Sequence, residues 1–130
     1  MQVLILTLDN QKYCIKTEFI ELIDNKKVIT PIPKSPKYAK GVINLKGRIL
    51  SVLDIKGILD LDSNNEEENL VVLNIKGERF GILVDLVEEI LEISEEEIIT
   101  HLGKALIKHN NNVVTMLEEA DFINVFQSKV

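Results

Sequence analysis

Short apolar runs separated by polar turns recur along the whole chain and predict a protein built mainly from β-strands. The first run covers residues 3–8, and a polar turn at residues 9–12 separates it from a second run at residues 13–15. Turns that contain Gly or Asn between such runs are typical of β-hairpins. The remaining predicted strands are residues 41–45, 49–53, 70–75, 79–84, 87–93, 106–109 and 113–117.

The parts between these strands predict three short helices and several loops. Helices are predicted at residues 55–59, from Ser94 onward and at residues 118–126, while residues 18–23 fit either a helical turn or a strand. Residues 62–69 contain three consecutive glutamates and no apolar residue, which predicts a solvated acidic loop.

The central stretch, residues 31–59, has the most distinctive pattern. Prolines at positions 31, 33 and 36 fix the backbone and remove three donors, so residues 31–36 are expected to form a stiff, extended strap at the surface, the proline strap. A hairpin follows, with the cationic turn Lys46-Gly47-Arg48 between its two apolar strands.

An internal duplication organises these elements. A shift of 67 residues places Leu6 on Leu73 and Tyr13 on Phe80, and a shift of 64 places Val42 on Leu106. We therefore interpret residues 1–130 as a single domain of two similar β-units, at about 3–59 and 70–126, packed on one another.

The two halves differ in features that the fold does not require. The proline strap occurs in the first half alone, and the cationic turn corresponds to a neutral turn of three asparagines at positions 110–112. Fold requirements act on both copies, so features present in one copy are the better candidates for function.

Composition excludes several classes of function. The net charge of −6 disfavours nucleic acid and anionic membrane surfaces as partners. One cysteine cannot form an internal disulfide, and neither a secretion signal nor a membrane span is visible, so a cytoplasmic protein is expected.

Candidate catalytic chemistry is sparse. Cys14 lies in an apolar run and is interpreted as a small core residue, while His101 and His109 have no partners at metal-ligand spacing. The sequence contains no phosphate-binding loop and no nucleophile elbow. We therefore predict no enzyme activity, no cofactor and no metal; a small-ligand domain would need an enclosed polar pocket.

The central stretch resembles the CheW family of bacterial chemotaxis proteins. Residues 33–54, PKSPKYAKGVINLKGRILSVLD, are similar to the family pattern of a proline, an extended link, G-V-x-N-L-R-G and an apolar strand that ends in Asp-Leu. LTLDNQKYCI at residues 6–15 and FGILVD at residues 80–85 extend the resemblance over almost the whole chain.

This resemblance implies an all-β fold of two small, five-stranded Src-homology-three-like barrels. It also implies a non-catalytic adaptor that couples the cytoplasmic tip of methyl-accepting chemoreceptors to the regulatory domain of the histidine kinase CheA. The alternative is a CheW-like scaffold or regulatory module of a different two-component system, because the same domain occurs inside CheA and in CheV.

Eight residues are candidates for protein binding. Lys46 takes the place of the usual arginine of the family, and Glu21 matches a glutamate that is associated with the same role. Lysine keeps the charge but loses the bidentate geometry of a guanidinium, for which Arg48 could compensate. The candidates are Glu21, Pro33, Pro36, Asn44, Leu45, Lys46, Gly47 and Arg48.

Overall fold

The computed structural model describes residues 1–34 and 37–127, and for residues 124–127 the backbone only. Eleven strands and two α-helices occur in this part of the chain. The strands are β1 (Gln2–Leu8), β2 (Gln11–Lys16), β3 (Ile20–Asn25), β4 (Ala39–Leu45), β5 (Arg48–Leu53), β6 (Asn69–Ile75), β7 (Glu78–Val84), β8 (Leu86–Glu92), β9 (Ile99–His101), β10 (Lys104–His109) and β11 (Asn112–Leu117). The helices are α1 (Ile55–Ile58) and α2 (Glu119–Gln127).

The strands form two sheets, which confirms the predicted all-β class. Sheet I has the order β8-β1-β2-β11-β10-β9, and sheet II has the order β3-β6-β7-β5-β4. Among the described residues, the edge strands of neither sheet pair with each other, so each strand order is linear. Sheet II has the predicted five strands, and sheet I has one more.

The two halves of the chain exchange hairpins. The β1–β2 hairpin of the first half lies in sheet I, beside β8 and β11 of the second half. The β6–β7 hairpin of the second half lies in sheet II, beside β3 and β5 of the first. Each sheet therefore requires strands from both halves.

Both sheets use the same strand order and the same registers. Leu6 pairs with Tyr13 in sheet I, and Leu73 pairs with Phe80 in sheet II. The bulges are equivalent as well, since β8 skips Glu88 against β1 and β3 skips Glu21 against β6. A duplicated unit produces this agreement, because register is fixed by which face of each strand is buried.

Three apolar clusters form the core. One lies within sheet I around Val3, Ile5 and Cys14, and one lies within sheet II around Val72 and Leu50. The largest cluster joins the sheets and is composed of residues from both halves together with Phe122 of α2. Hairpins β1–β2 and β6–β7 contribute to two clusters each, and this explains their nearly continuous apolar sequences.

The structure confirms that Cys14 is a core residue and corrects the prediction at two places. Strand β9 was not predicted, because three exposed residues carry no apolar alternation; β9 pairs with β10. The segment after Ser94 forms only a 3₁₀ turn, Glu95–Glu97. Residues 18–23 combine both alternatives, since the 3₁₀ turn Thr17–Phe19 leads directly into β3.

The acidic loop is mostly exposed, as predicted, and ion pairs also bind it to the protein surface. Glu67 lies 2.8 Å from Lys40 and its side chain is only 17% exposed, and Glu66 forms an ion pair with Lys26. Lys56 donates to the backbone carbonyl of Asn65 at 3.1 Å. Lysines of the first half attract the loop, and their arrangement cannot be read from the linear sequence.

A buried ion pair fastens α1 to the junction between β7 and β8. Lys56 Nζ lies 2.6 Å from Asp85 Oδ1, and both side chains are about nine-tenths buried. The other Asp85 oxygen accepts a hydrogen bond from the backbone of Asp9 at 2.8 Å. Asp85 thereby connects the turn of hairpin β1–β2 with α1. Among the described residues, no helix is long and apolar enough to cross a membrane.

Candidate protein-interaction site

Four of the predicted site residues line one open depression at the end of sheet II. It has a volume of about 370 Å³, and we call it the cationic depression. Its lining residues come from β3, from the β4–β5 hairpin and from β7: Glu21, Leu22, Leu45, Lys46, Arg48 and Arg79.

The cationic turn has two residues, Lys46 and Gly47, both in the left-handed region with φ values of 52° and 85°. Two successive positive φ values match the right-handed twist of the flanking strands, as in a type I′ hairpin turn. The Asn44 side chain accepts a hydrogen bond from the Gly47 backbone at 2.8 Å. Through this contact, Asn44 stabilises the turn that presents Lys46.

Glu21 is held rigidly on the wall of the cationic depression. Its carboxylate accepts hydrogen bonds from Arg79 Nε at 2.6 Å and from the Asn74 side-chain amide at 2.9 Å. These two donors, Arg79 first, lower the pKa of Glu21 from its ordinary value. Glu21 therefore forms an ion pair with Arg79, and this pair orients the arginine beside the turn.

The two cations of the hairpin differ from Arg79, which pairs with Glu21. Lys46 and Arg48 are exposed, and within the part of the chain that the structure describes neither makes an ion pair. Leu45 of the same hairpin is buried, and Ile49, which follows Arg48 on the other face of β5, is 69% exposed. The cationic depression thus offers two positive charges that make no ion pair among the described residues, beside the aliphatic lining residues Leu22 and Leu45, which suits an acidic and apolar partner surface.

An equivalent depression at the end of sheet I has different chemistry. We call it the twin depression; its volume is about 80 Å³. Each lining position of the cationic depression has a counterpart there under the 67- or 64-residue shift: Lys12, Glu88, Glu89, His109, Asn110 and Asn112.

The comparison of the two depressions separates shared from specific features. Glu88 pairs with Lys12 as Glu21 pairs with Arg79, and the pKa of Glu88 is lowered mainly by its hydrogen bond from Lys12. In contrast, His109 lies 2.8 Å from Glu89 and closes the twin depression, where the first half has Leu45 and Leu22. The glutamate pair is thus common to both halves, and the free cations belong to the first.

The remaining predicted residues lie elsewhere. Pro33 is exposed on the proline strap and does not line the cationic depression, and Pro36 lies outside the described residues. Sequence reasoning missed Leu22 and Arg79. The 67-residue shift could have indicated Arg79, because it places that residue on Lys12, the partner of the equivalent glutamate.

Comparison with known proteins places this arrangement in a family. The family model described as CheW-like domain matches residues 2–120. The chain belongs to the CheW-like domain family. The match extends over both halves, so the exchanged hairpins and both depressions lie within the CheW-like domain.

Curated relatives carry the same name. The chain is 31% identical over 126 residues to "Chemotaxis protein CheW" of Thermotoga maritima, covering 90% of this chain and 83% of that protein. It is 33% identical over 97 residues to "Chemotaxis protein CheW" of Klebsiella aerogenes, covering 73% of this chain and 58% of the relative. Sequence similarity to CheW proteins thus includes most of the CheW-like domain.

A solved structure has the same fold. The crystal structure of the scaffolding protein TtCheW from Thermoanaerobacter tengcongensis matches with a TM-score of 0.81. The match covers 91% of this chain and 84% of that chain, at 22% sequence identity. At this identity the likeness concerns the fold of the CheW-like domain.

Proposed function

We propose that this protein is a non-catalytic chemotaxis adaptor that couples methyl-accepting chemoreceptors to the histidine kinase CheA in a signalling array. The observation that carries the proposal is the cationic depression of a CheW-like domain, where Lys46 and Arg48 make no ion pair among the described residues and lie beside the lining aliphatic residues Leu22 and Leu45. The partners are the receptor's cytoplasmic tip and the regulatory domain of CheA, and the adaptor works in the cytoplasm at membrane-bound receptor arrays.

The depression suits a weak, exchangeable contact. It is open and shallow, and its charged groups lie at the rim, where they contribute to partner choice and association rate more than to affinity. An interface of about 1,200 Å² or less is typical of transient signalling contacts. Lys46 carries the charge of the usual family arginine, and Arg48 lines the same depression, which supports a shared role for the two cations.

Binding of the purified protein to a receptor tip and to CheA tests the proposal. We expect saturable binding of both partners by titration calorimetry. The variant Lys46→Glu should weaken at least one of them by about fivefold or more, because it reverses one rim charge. The thermal midpoint should stay nearly unchanged, since Lys46 has no ion pair among the described residues.

Asn110→Glu is the matched control, because Asn110 occupies the equivalent turn position with φ of 50°. It introduces the same side chain into the same backbone conformation at the twin depression. Equal affinity of wild type and Lys46→Glu for both partners would remove Lys46 from the site. Absence of wild-type binding to either partner would contradict the adaptor function and favour a CheW-like module of another two-component system.

A further inference from the structure

A third depression lies against the first turn of α2. Its volume of about 510 Å³ exceeds that of the cationic depression, and we call it the helix depression. Partly buried Phe19 and Ile123 form apolar parts of its lining, and Lys16, Lys76 and Lys104 surround it.

The first half contains the equivalent of the helix depression, beside α1. We call it the linker depression, because residues 61–65 and Glu67 of the acidic loop form one wall of it. Four lining positions of the two depressions correspond under the 64-residue shift: Lys40, Asp54, Lys56 and Gly57 in the first half, Lys104, Glu118, Ala120 and Asp121 in the second.

The acidic loop shows what kind of segment such a depression accepts. The loop has no regular secondary structure, and Glu67 lies 2.8 Å from Lys40, the counterpart of Lys104. A backbone carbonyl of the same loop, that of Asn65, accepts a hydrogen bond from Lys56. The first half thus binds an acidic segment of its own chain through lysine side chains.

The helix depression differs from its counterpart in its lysines. Lys16, Lys76 and Lys104 line it, whereas Lys40 and Lys56 line the linker depression. Under the 67-residue shift, Lys16 and Lys76 correspond to Leu83 and Asp9, which do not line the linker depression. Ala120 takes the place of Lys56, and a smaller side chain there leaves more room on the α2 side. Of the two depressions, the helix depression alone therefore has cations at positions 16 and 76.

The lysines of the helix depression are available to a partner. Lys16 makes no ion pair within the ranges 1–34 and 37–127. Lys76 lies 3.3 Å from Glu119, and Lys104 lies 3.5 Å from Asp121, with both lysine side chains more than half exposed. Exposed pairs of this kind are weak, so an incoming carboxylate can replace Glu119 as a partner at little cost.

Asp121 also stabilises the start of α2. Its second carboxylate oxygen accepts a hydrogen bond from the backbone of Glu118 at 2.8 Å, at the start of α2. Glu118, Glu119 and Asp121 all line the helix depression, and Glu119 and Asp121 pair with Lys76 and Lys104. Lys16 is therefore the lining lysine that an incoming carboxylate reaches without displacing an ion pair of the described residues.

We infer that the helix depression is a second docking site, which binds an acidic segment without regular secondary structure from a partner protein, in the manner of the chain's own acidic loop. This inference is independent of the proposed function, because none of its residues lines the cationic depression. The acidic loop of a second copy is not the expected occupant, since that loop is already bound to Lys26, Lys40 and Lys56 of its own chain.

A synthetic peptide with the sequence of residues 61–70, LDSNNEEENL, is a suitable probe. Titrated into the isotopically labelled full chain at low salt, it should shift the backbone amide signals of Lys16, Lys104 and Ala120 saturably. A peptide with its three glutamates changed to glutamine should bind at least about fivefold more weakly. Each exposed charge pair contributes little, but the pairs act together here.

Two charge reversals and one control locate the site. Lys104→Glu and Lys16→Glu should each weaken peptide binding by about fivefold, and Lys16→Glu removes no ion pair of the described structure. Lys108→Glu, an exposed lysine on β10 outside the depression, should leave binding unchanged.

Several results would overturn the inference. The first two are the absence of saturable shifts at millimolar peptide, and shifts at Lys40 and Lys56 in place of those expected. The other two are equal affinity for the glutamine and glutamate peptides, and a loss of binding in Lys108→Glu as large as in Lys16→Glu. Self-association of the protein that the peptide inhibits would also overturn it, because a second copy would then be the occupant. Loss of peptide binding in Lys46→Glu would show that the wrong depression had been identified.

Discussion

Glu21 has a structural explanation that its position in the sequence did not provide. It is the skipped residue of a β-bulge, and its carboxylate binds Arg79 and Asn74. Glu88 occupies the equivalent bulge and pairs with Lys12. A feature repeated in both halves belongs to the fold, so we assign Glu21 to the support of the cationic depression and Lys46 and Arg48 to contact with the partner.

The ionisation of Glu21 should depend on Arg79. Hydrogen bonding from Arg79 is the main cause of its lowered pKa, so Arg79→Gln should raise the pKa of Glu21 toward the ordinary value of 4.5. Carbon-detected NMR titration of the glutamate carboxyls measures this directly. Lys12→Gln is the matched control, and it should raise the pKa of Glu88 while leaving that of Glu21 unchanged.

The same shift determines the sign of a pH effect on stability. Because the folded-state pKa of Glu21 lies below its ordinary value of 4.5, the ionised carboxylate stabilises the fold above that pH. This contribution is lost as the pH falls through the folded-state pKa. The stability difference between wild type and Arg79→Gln should therefore shrink under strongly acidic conditions; a constant difference from neutral to acid pH would contradict the assignment.

At the scale of elements, the proline strap is anchored at its first end by a close backbone approach. Thr30 and Val42 exchange two backbone hydrogen bonds, at 2.8 and 2.9 Å. In the second half the corresponding partner of β10 is the short strand β9, which a two-residue turn joins to β10. The first half has a longer connection between Thr30 and β4, which contains the three prolines, so this insertion distinguishes the halves.

Gly41 makes the anchor possible. A Cβ atom at this position would lie 2.4 Å from the Thr30 carbonyl oxygen, so Gly41→Ala should force the two segments apart. We expect a loss of about 1–3 kcal/mol in the free energy of unfolding, as for other overpacked sites. Hydrogen exchange should become faster at the amides of Thr30 and Val42, which donate these two bonds.

Gly47→Ala provides the comparison for this prediction. A Cβ at Gly47 has no neighbour within 4 Å, and its φ of 85° alone makes alanine unfavourable, by about 1–2 kcal/mol. Exchange at Thr30 and Val42 should then stay at the wild-type rate. Unchanged exchange at these amides in Gly41→Ala would contradict the steric role of Gly41.

At the scale of the whole molecule, the exchanged hairpins make the two halves interdependent. Sheet I lacks its β1–β2 hairpin without the first half, and sheet II lacks β6–β7 without the second. The central core that joins the sheets also contains residues of both halves, among them Leu6 and Phe80. Neither half can bury its apolar surface alone.

Cutting the chain between Asn64 and Asn65 should therefore give two fragments that fold only together. Each fragment alone should show the poorly dispersed NMR spectrum of an unfolded chain, and an equimolar mixture should recover the wild-type spectrum. Leu6→Asp in the first fragment should prevent recovery, because Leu6 is fully buried in the central core. A fragment that folds by itself would contradict the interdependence.

The sequence determined the strands, the duplication and the family, and the structure decided how these parts meet. Periodicity reports which residues of a strand are buried, so strands and equivalent positions such as Leu6 and Leu73 could be identified from the chain alone. The cationic turn could be identified too, because its residues are contiguous. Periodicity does not report which strands are neighbours, so the exchange of hairpins and the pairing of Glu21 with Arg79 emerged only in the structure. The ion pairs of the acidic loop could not be predicted for the same reason: the lysines that bind it are distant in sequence, and only folding brings Lys26, Lys40 and Lys56 to one surface.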